Sequence, residues 1–318
     1  MTGYIVRRLI VAVIVTIGIA VISFLMLHYL SPSPAYVVLG ARATAQSIAA
    51  WNRTHGYDRS EFAQLLTYLG NLAQFKFGYS YKLGQSVNAL FRENAGRSAY
   101  LTGAALLLSL VFAIPIGILQ AVRRNTALDY TVTTWNFVLY SMPSFFLGLI
   151  LIQLFSLGTI TTVFPPVVSD NITTAWQAFT HPLQLTLPIV TLAAINVASF
   201  SRYMRSSALD NLAQDYIRLA RAKGLSQRAV LFKHLLRNAC LPMITLVGLS
   251  VPTLLAGNLL IEYLFNYPGL GLLFYQALGN EDYNILLAYT VLGGILTVVG
   301  NLLADVAITV ADPRVRVN

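Results

Sequence analysis

The sequence predicts an all-α membrane protein in which six helices cross the bilayer. Of its 318 residues, 56% are hydrophobic and only 10% are charged, whereas about a quarter of the residues of a water-soluble domain are charged. Apolar runs close to the roughly 20 residues that span a bilayer as a helix recur along the chain. Because a helix satisfies its own backbone hydrogen bonds in lipid, these runs predict a helical bundle.

The six predicted spans cover residues 9–30, 100–122, 134–157, 183–200, 241–263 and 285–308. The first run is longer than the roughly 7–15 apolar residues of a signal peptide and has no small-residue cleavage site, so we expect it to remain in the membrane. Four prolines are predicted to kink these helices: Pro115, Pro143, Pro188 and Pro252. The chain is expected to form one polytopic domain over residues 1–318.

Basic residues orient the bundle, because Lys and Arg concentrate in the cytoplasmic loops of membrane proteins. This bias accounts for the net charge of +9 without a nucleic-acid partner. One side holds Arg7, Arg8, Arg123, Arg124, eight basic residues between Arg202 and Arg237, Arg314 and Arg316, while loops 158–182 and 264–284 hold none. Both termini are therefore predicted to be cytoplasmic. Segment 31–98, a long loop whose charges count less, is predicted to form an extracytoplasmic cap.

No motif for catalysis or metal binding is evident. The single cysteine, Cys240, excludes an intrachain disulfide and a thiolate cluster. None of the four lysines follows a glycine, so the phosphate-binding G-x-x-x-x-G-K-[ST] pattern is missing. The four histidines are scattered rather than paired at metal-ligand spacing. We expect the chain to be no enzyme and to hold no metal or cofactor of its own.

Segment 201–240, between the fourth and fifth predicted spans, is predicted to form a basic helix–turn–helix. One apolar face is predicted from the spacing of Leu209, Leu212, Ala213, Tyr216, Leu219 and Ala220. Asp215 is expected to pair with Arg218, Gly224 to end the first helix in a left-handed conformation, and Ser226 to cap a second helix over 227–239. The spacing alone is equally consistent with a hairpin that rests on anionic lipid and with one that docks on a partner protein.

The sequence DYIRLARAKG at 215–224, followed by RNACLP at 237–242, resembles the EAA loop of ABC-importer permeases. Here Ala220 or a neighbour stands at the family's first acidic position, as in the peptide-permease branch. Further segments resemble that branch in the same order along the chain: FGYS at 77–80, MPSFF at 142–146, EYLFNYPGLG at 262–271 and DPR at 312–314. The chain thus resembles the B-type membrane subunit of dipeptide/oligopeptide ABC importers over essentially its full length.

The resemblance implies a type I ABC-importer permease fold in the inner membrane. It also implies a second homologous permease subunit, two cytosolic ATPases that bind ATP and Mg, and an extracytoplasmic peptide-binding protein. The glycine turn of the EAA loop is implied to dock in a cleft on the ATPase. The implied coupling residues are Asp215, Arg218, Ala220, Arg221, Ala222, Lys223 and Gly224.

Polar residues inside the spans are candidates for the translocation path, although Asn and Ser also join helices by hydrogen bonds. These candidates are Asn196, Ser250, Asn258, Glu262 and Asn301. The motif that follows Glu262 favours a structural role for it in an outer gate, and Asp305 is expected to pair with arginines at the cytoplasmic rim. The candidates for contact with the binding protein are Pro268, Gly269, Tyr275 and Gln276. The alternative is that their loop is a re-entrant plug.

Two other classes of function remain open from the residues. An ion-coupled secondary transporter needs carboxylates near the bilayer midplane, whereas Glu262 and Asp305 lie near span ends. A membrane scaffold without transport would leave the basic loop at 201–240 without a purpose. The sequence does not choose among dipeptides, oligopeptides, nickel and glutathione as the substrate.

Overall fold

The segment predicted to form the cap comes early in the chain and is mostly helical. The computed structural model describes residues 2–30, 34–40, 43–169, 172 and 174–311. After α1 (Thr2–Leu30) come α2 (Pro34–Leu39), α3 (Ala45–His55), α4 (Glu61–Ala73) and a hairpin of β1 (Tyr79–Ser80) with β2 (Gln85–Ser86). Thr44 and Ser60 cap α3 and α4 by accepting backbone hydrogen bonds, as short polar residues do at helix starts. Predicted cap residue Arg42 lies outside the described residues.

The bundle is built from long helices and from helices broken within the apolar runs. These are α5 (Val87–Val122), α6 (Ala127–Ser141), α7 (Ser144–Phe155), α8 (Ala175–Thr180), α9 (Pro182–Leu212), α13 (Leu241–Leu249), α14 (Val251–Ala256), α15 (Leu259–Leu264), α16 (Leu270–Gly279) and α17 (Tyr283–Ala311). Between α9 and α13 come α10 (Asp215–Ala222), α11 (Gln227–Ala229), a π-helical turn (Val230–Leu235) and α12 (Leu236–Ala239). The motif at 312–314, with Arg314 and Arg316, lies outside the described residues.

Four described helices are long and apolar enough to cross a bilayer, and the count rises to six if each of two bent helix pairs forms one span. The kink predicted at Pro143 in the third span is a sharp bend, because α6 and α7 meet there at 106°. The predicted fifth span, 241–263, is wrong as one helix. It divides into α13, α14 and α15, with Pro252 at the start of α14 and Gly257 in a left-handed conformation (φ 81°) after it. Pro115 and Pro188 lie inside continuous helices.

Helices α5 and α9 extend beyond their predicted spans. Residues 87–98, predicted as the end of the cap, form the first turns of α5, and residues 201–212, predicted as the start of the basic helix–turn–helix, continue α9. Polar residues there lower the hydropathy, but burial of Val87 on α5 and of Met204 on α9 favours helix nonetheless. The two helices approach closely at Gly117, where a Cβ atom would lie 2.6 Å from Cβ of Met204.

An ion pair between a buried carboxylate and a partly exposed arginine fixes α6 to α9. The guanidinium group of Arg205 donates from Nε and Nη2 to the two carboxylate oxygens of Asp129, at 2.8 and 2.7 Å. The backbone N–H of Asn125 donates to the same carboxylate at 3.0 Å. Paired, bidentate geometry of this kind offsets the cost of burying the charge of Asp129.

Candidate functional site

The basic hairpin, residues 215–239, is anchored to the bundle by one apolar face. Ile217 and Ala220 of α10 and Val230 and Leu235 of the second helix are buried in a single core with Met204. The predicted apolar face is partly wrong. The helix breaks at residues 213–214, so Leu209 and Leu212 belong to α9, and the restart at Asp215 turns Leu219 outward (57% exposed) and Ile217 inward.

The turn of the basic hairpin has the predicted conformation. Gly224 adopts a left-handed backbone (φ 74°), its N–H donates to the carbonyl of Arg221, and the N–H of Leu225 donates to that of Ala220. These two bonds form a Schellman motif, which satisfies carbonyls that α10 leaves free. The predicted cap is confirmed, because Ser226 accepts from the N–H of Ala229. The predicted pair of Asp215 and Arg218 is also confirmed, at 3.4 Å on the surface.

The outward surface of the basic hairpin combines apolar side chains with cations. Leu219, Leu225 and Phe232 are exposed by 57, 41 and 70%. The candidate coupling residues Asp215, Arg218, Arg221, Ala222, Lys223 and Gly224 are exposed around them, while Ala220 is buried. No atom lies within 4 Å of the position that a Cβ of Gly224 would take. Three large exposed apolar side chains on one short hairpin fit contact with another protein surface.

A second site surrounds the buried side chain of Glu262. All four of its partners donate hydrogen bonds: the Ser98 hydroxyl at 2.7 Å and the Asn258 N–H at 3.2 Å to Oε1, and the N–H groups of Gly271 and Leu272 at 2.7 and 3.2 Å to Oε2. Both carboxyl oxygens therefore act as acceptors. The group lies within the apolar segment that includes α15, where burial without such partners would be costly.

These bonds supply the N-terminal cap that α16 lacks in its own sequence. The first N–H groups of a helix have no intrahelical acceptor. In α16, the N–H of Leu270 donates to Ser98 Oγ at 2.8 Å, and Glu262 accepts from the N–H groups of the next two residues. A Cβ at Gly271 would lie 2.7 Å from Cα of Leu259 and 3.0 Å from Glu262 Oε2, so only glycine fits this close approach.

Two reciprocal bonds join the turn before α16 to α5. Arg97 donates from Nη1 to the carbonyl of Pro268 at 2.8 Å, and the hydroxyl of Tyr267 donates to the carbonyl of Arg97 at 2.7 Å. We name Arg97, Ser98, Glu262 and residues 267–272 the Glu262 cluster. Sequence reasoning missed Arg97, Ser98 and Tyr267, because nothing local pairs positions more than 160 residues apart.

Of the other candidate path residues, Asn258 contacts Glu262 through its backbone N–H. Its side chain accepts a hydrogen bond from the N–H of Ile261 and so caps α15. The Ser250 hydroxyl donates to the carbonyl of Leu246 in its own helix. Asn196 and Asn301 are half-buried on α9 and α17. The side chain of Asp305 lies outside the described part of the chain.

The loop 264–284 combines a packed side with an exposed side. Leu270, Gly271, Leu272, Leu273 and Ala277 of α16 are buried. Of the candidate contact residues, Gly269 is buried and Pro268 half-buried, while Tyr275 and Gln276 are exposed. Tyr275 also stacks on Tyr263, with ring centroids 3.8 Å apart. The segment therefore packs on the bundle along one side and presents two side chains on its other side.

Comparison with known proteins identifies the family. Residues 113–317 match the family described as binding-protein-dependent transport system inner membrane component, and residues 1–91 match its N-terminal domain. The oligopeptide transport system permease protein AppB of Bacillus subtilis is 35% identical over 99% of this chain and 100% of its own. The di/tripeptide transport system permease protein DppB of Pseudomonas aeruginosa is 33% identical over 99% of both chains.

A third relative is the glutathione transport system permease protein GsiC of Salmonella typhimurium, 34% identical over 99% of both chains. The full-length resemblance found in the sequence is thus confirmed. Membership of a transport family also decides against an ion-coupled transporter and a scaffold without transport. Together with the recurring apolar helices, these matches show that the chain is a multi-pass membrane permease belonging to the family of binding-protein-dependent transport system inner membrane components.

Proposed function

We propose that this chain is one of two permease subunits in an ATP-driven importer of short peptides. The names of its relatives support the substrate class, since oligopeptides, di- and tripeptides and glutathione are all short peptides. The proposed partners are a second permease subunit, two cytosolic ATPases that hold ATP and Mg, and an extracytoplasmic peptide-binding protein. Surrounding lipid covers the rest of the bundle.

The observation that carries this proposal is the exposed turn of the basic hairpin. Its outward side presents three apolar side chains among cations, and its inward side is packed into the same core as α9. A partner that moves this turn must therefore move α9. The ion pair between Asp129 and Arg205 passes such a movement on to α6. An ATPase docked on the turn could in this way drive the bundle.

The proposed orientation places the basic hairpin and both termini in the cytoplasm, and the cap and α16 on the outer side. It rests on the absence of Lys and Arg from loops 158–182 and 264–284. In this orientation the Glu262 cluster holds α16 across the outer end of the bundle, where it can act as a gate. The exposed Tyr275 and Gln276 then face the binding protein that delivers the peptide.

Replacement of Gly224 tests the docking role. Gly224→Val places a β-branched side chain at φ 74°, which costs roughly 1 kcal/mol. Because no described atom lies within 4 Å of the Cβ position, the added side chain has room within this chain and obstructs a docked partner. We expect normal membrane insertion, loss of the ATPase from purified complexes and loss of peptide uptake.

Gly84→Val is the matched control. Gly84 also has a left-handed backbone (φ 64°) and empty space around it, but it lies in the turn of the cap hairpin. The same local strain is expected there, with the ATPase retained. Equal ATPase recovery from the wild type and Gly224→Val would refute docking at this turn.

A further inference from the structure

Helix α4 of the cap has three distinct sides. Spacing of three, four and seven residues places Phe62, Leu66, Leu69 and Ala73 along one flank. Phe62 and Leu66 are 69 and 53% exposed, so this apolar flank is uncovered. The polar residues Gln64, Thr67 and Asn71 lie on the opposite flank. An uncovered apolar flank opposite a polar one is the pattern of a helix lying at a membrane surface.

The third side of α4 packs on the end of α1. The ring of Tyr68 stacks on Phe24 with centroids 5.6 Å apart, and burial raises the pKa of the Tyr68 hydroxyl to about 12. At the start of α4, Glu61 accepts a hydrogen bond from the hydroxyl of Tyr29 at 2.7 Å. These contacts fix the height of α4 along α1.

That height coincides with the end of an apolar span. Residues 10–29 of α1 form a candidate membrane span of high hydropathy, and few of its residues are buried in the protein. Side chains near its end, such as Ile22 and Met26, are exposed by 60 and 56%, so this end of the span is open to lipid. Phe24 lies five residues before Tyr29, or about 7.5 Å at 1.5 Å per residue. Helices at a membrane surface bury their apolar face about 5–10 Å deep.

We propose that α4 lies at the membrane surface beside the end of α1, with Phe62, Leu66, Leu69 and Ala73 inserted among phospholipids. Exposed cations stand on either side of α4, Arg59 before it and Lys76 after it, where they can meet lipid phosphates. Under the proposed orientation this is the outer leaflet, and α4 ties the cap to the membrane.

Quenching by spin-labelled lipid tests this placement. Replacement of the only cysteine, Cys240→Ala, gives a background in which Leu66→Cys and Asn71→Cys are each labelled with the fluorophore NBD. The complete transporter is placed in nanodiscs of phosphatidylglycerol and phosphatidylcholine, with or without a doxyl group near the headgroup of the phosphatidylcholine. Both positions are exposed, so neither label needs the fold to change.

We expect doxyl lipid to remove most of the fluorescence at residue 66 and little at residue 71, with a blue-shifted emission at 66 only. Equal quenching at both positions, or quenching at neither, overturns the proposal. Protection of residue 66 that depends on added binding protein also overturns it and assigns the flank to that protein. The readout does not depend on ATPase recruitment or on sidedness, so it separates this inference from the proposed function.

Discussion

Removal of the Glu262 carboxyl group is expected to free the start of α16. In Glu262→Ala, the N–H groups of Asn258, Gly271 and Leu272 lose their acceptor in a buried setting. Each unsatisfied buried donor costs about 1–3 kcal/mol, so the two that belong to α16, Gly271 and Leu272, together cost at least about 2 kcal/mol. Since about 1.4 kcal/mol corresponds to a factor of ten, amides at the start of α16 should exchange at least about 25-fold faster.

Hydrogen–deuterium exchange of the transporter in nanodiscs, read on peptides covering 266–279, measures this effect. Glu262→Gln should give an intermediate result, because an amide has one acceptor oxygen and so loses two of the four bonds, whichever way it turns. Glu281→Gln is the control, since this exposed carboxylate lies in the same loop but outside the Glu262 cluster. Exchange in Glu262→Ala that matches the wild type would show that the carboxyl group does not hold α16.

Three further predictions follow from the packing and the orientation of the bundle. Gly117→Ala should lower the thermal stability of the purified protein, because its Cβ would lie 2.7 Å from a backbone oxygen of α9. Gly103→Ala is the control, since its Cβ would lie 3.8 Å from the nearest atom, and it should be neutral or stabilising by up to about 1 kcal/mol. Asp129→Asn removes the carboxylate charge beside Arg205, whose side chain is partly exposed, and should cost about 1–3 kcal/mol of unfolding free energy in chemical denaturation. Arg53→Cys, in the Cys240→Ala background, should react with an impermeant maleimide in intact cells, and its protection there would contradict the outer placement of the cap.

Local sequence patterns predicted the turn and the capping contacts of the basic hairpin correctly. The turn at Gly224, the cap at Ser226 and the pair of Asp215 and Arg218 each depend on residues at most a few positions apart, and the structure has all three. The face of α10 was less predictable. A short break at residues 213–214 resets the helical phase, and no strong helix breaker marks it in the sequence.

Helix ends and long-range contacts were harder to predict. Segment 241–263 is apolar almost throughout, so hydropathy does not reveal the break at Gly257, which is stabilised by Glu262 accepting from the N–H of Asn258. The start of α5 at Val87 could not be predicted from hydropathy, because polar residues such as Arg92 and Glu93 lie in its first turns. Burial of Val87, Leu90 and Phe91 stabilises the helix there. The partner of Glu262 on α5, Ser98, is brought in only by tertiary structure.

Because α9 is one continuous helix, a movement at one of its ends is transmitted along its whole length to the other end. With 31 residues, α9 is about 46 Å long, whereas the hydrocarbon core of a bilayer is about 30 Å thick. About 16 Å, or roughly three turns, is left to stand clear of the lipid. A tilt of 5° about the middle of such a rod shifts each end by about 2 Å. A small movement at Leu212 thus becomes a displacement of similar size at Pro182, on the far side of the membrane, without any helix having to unfold.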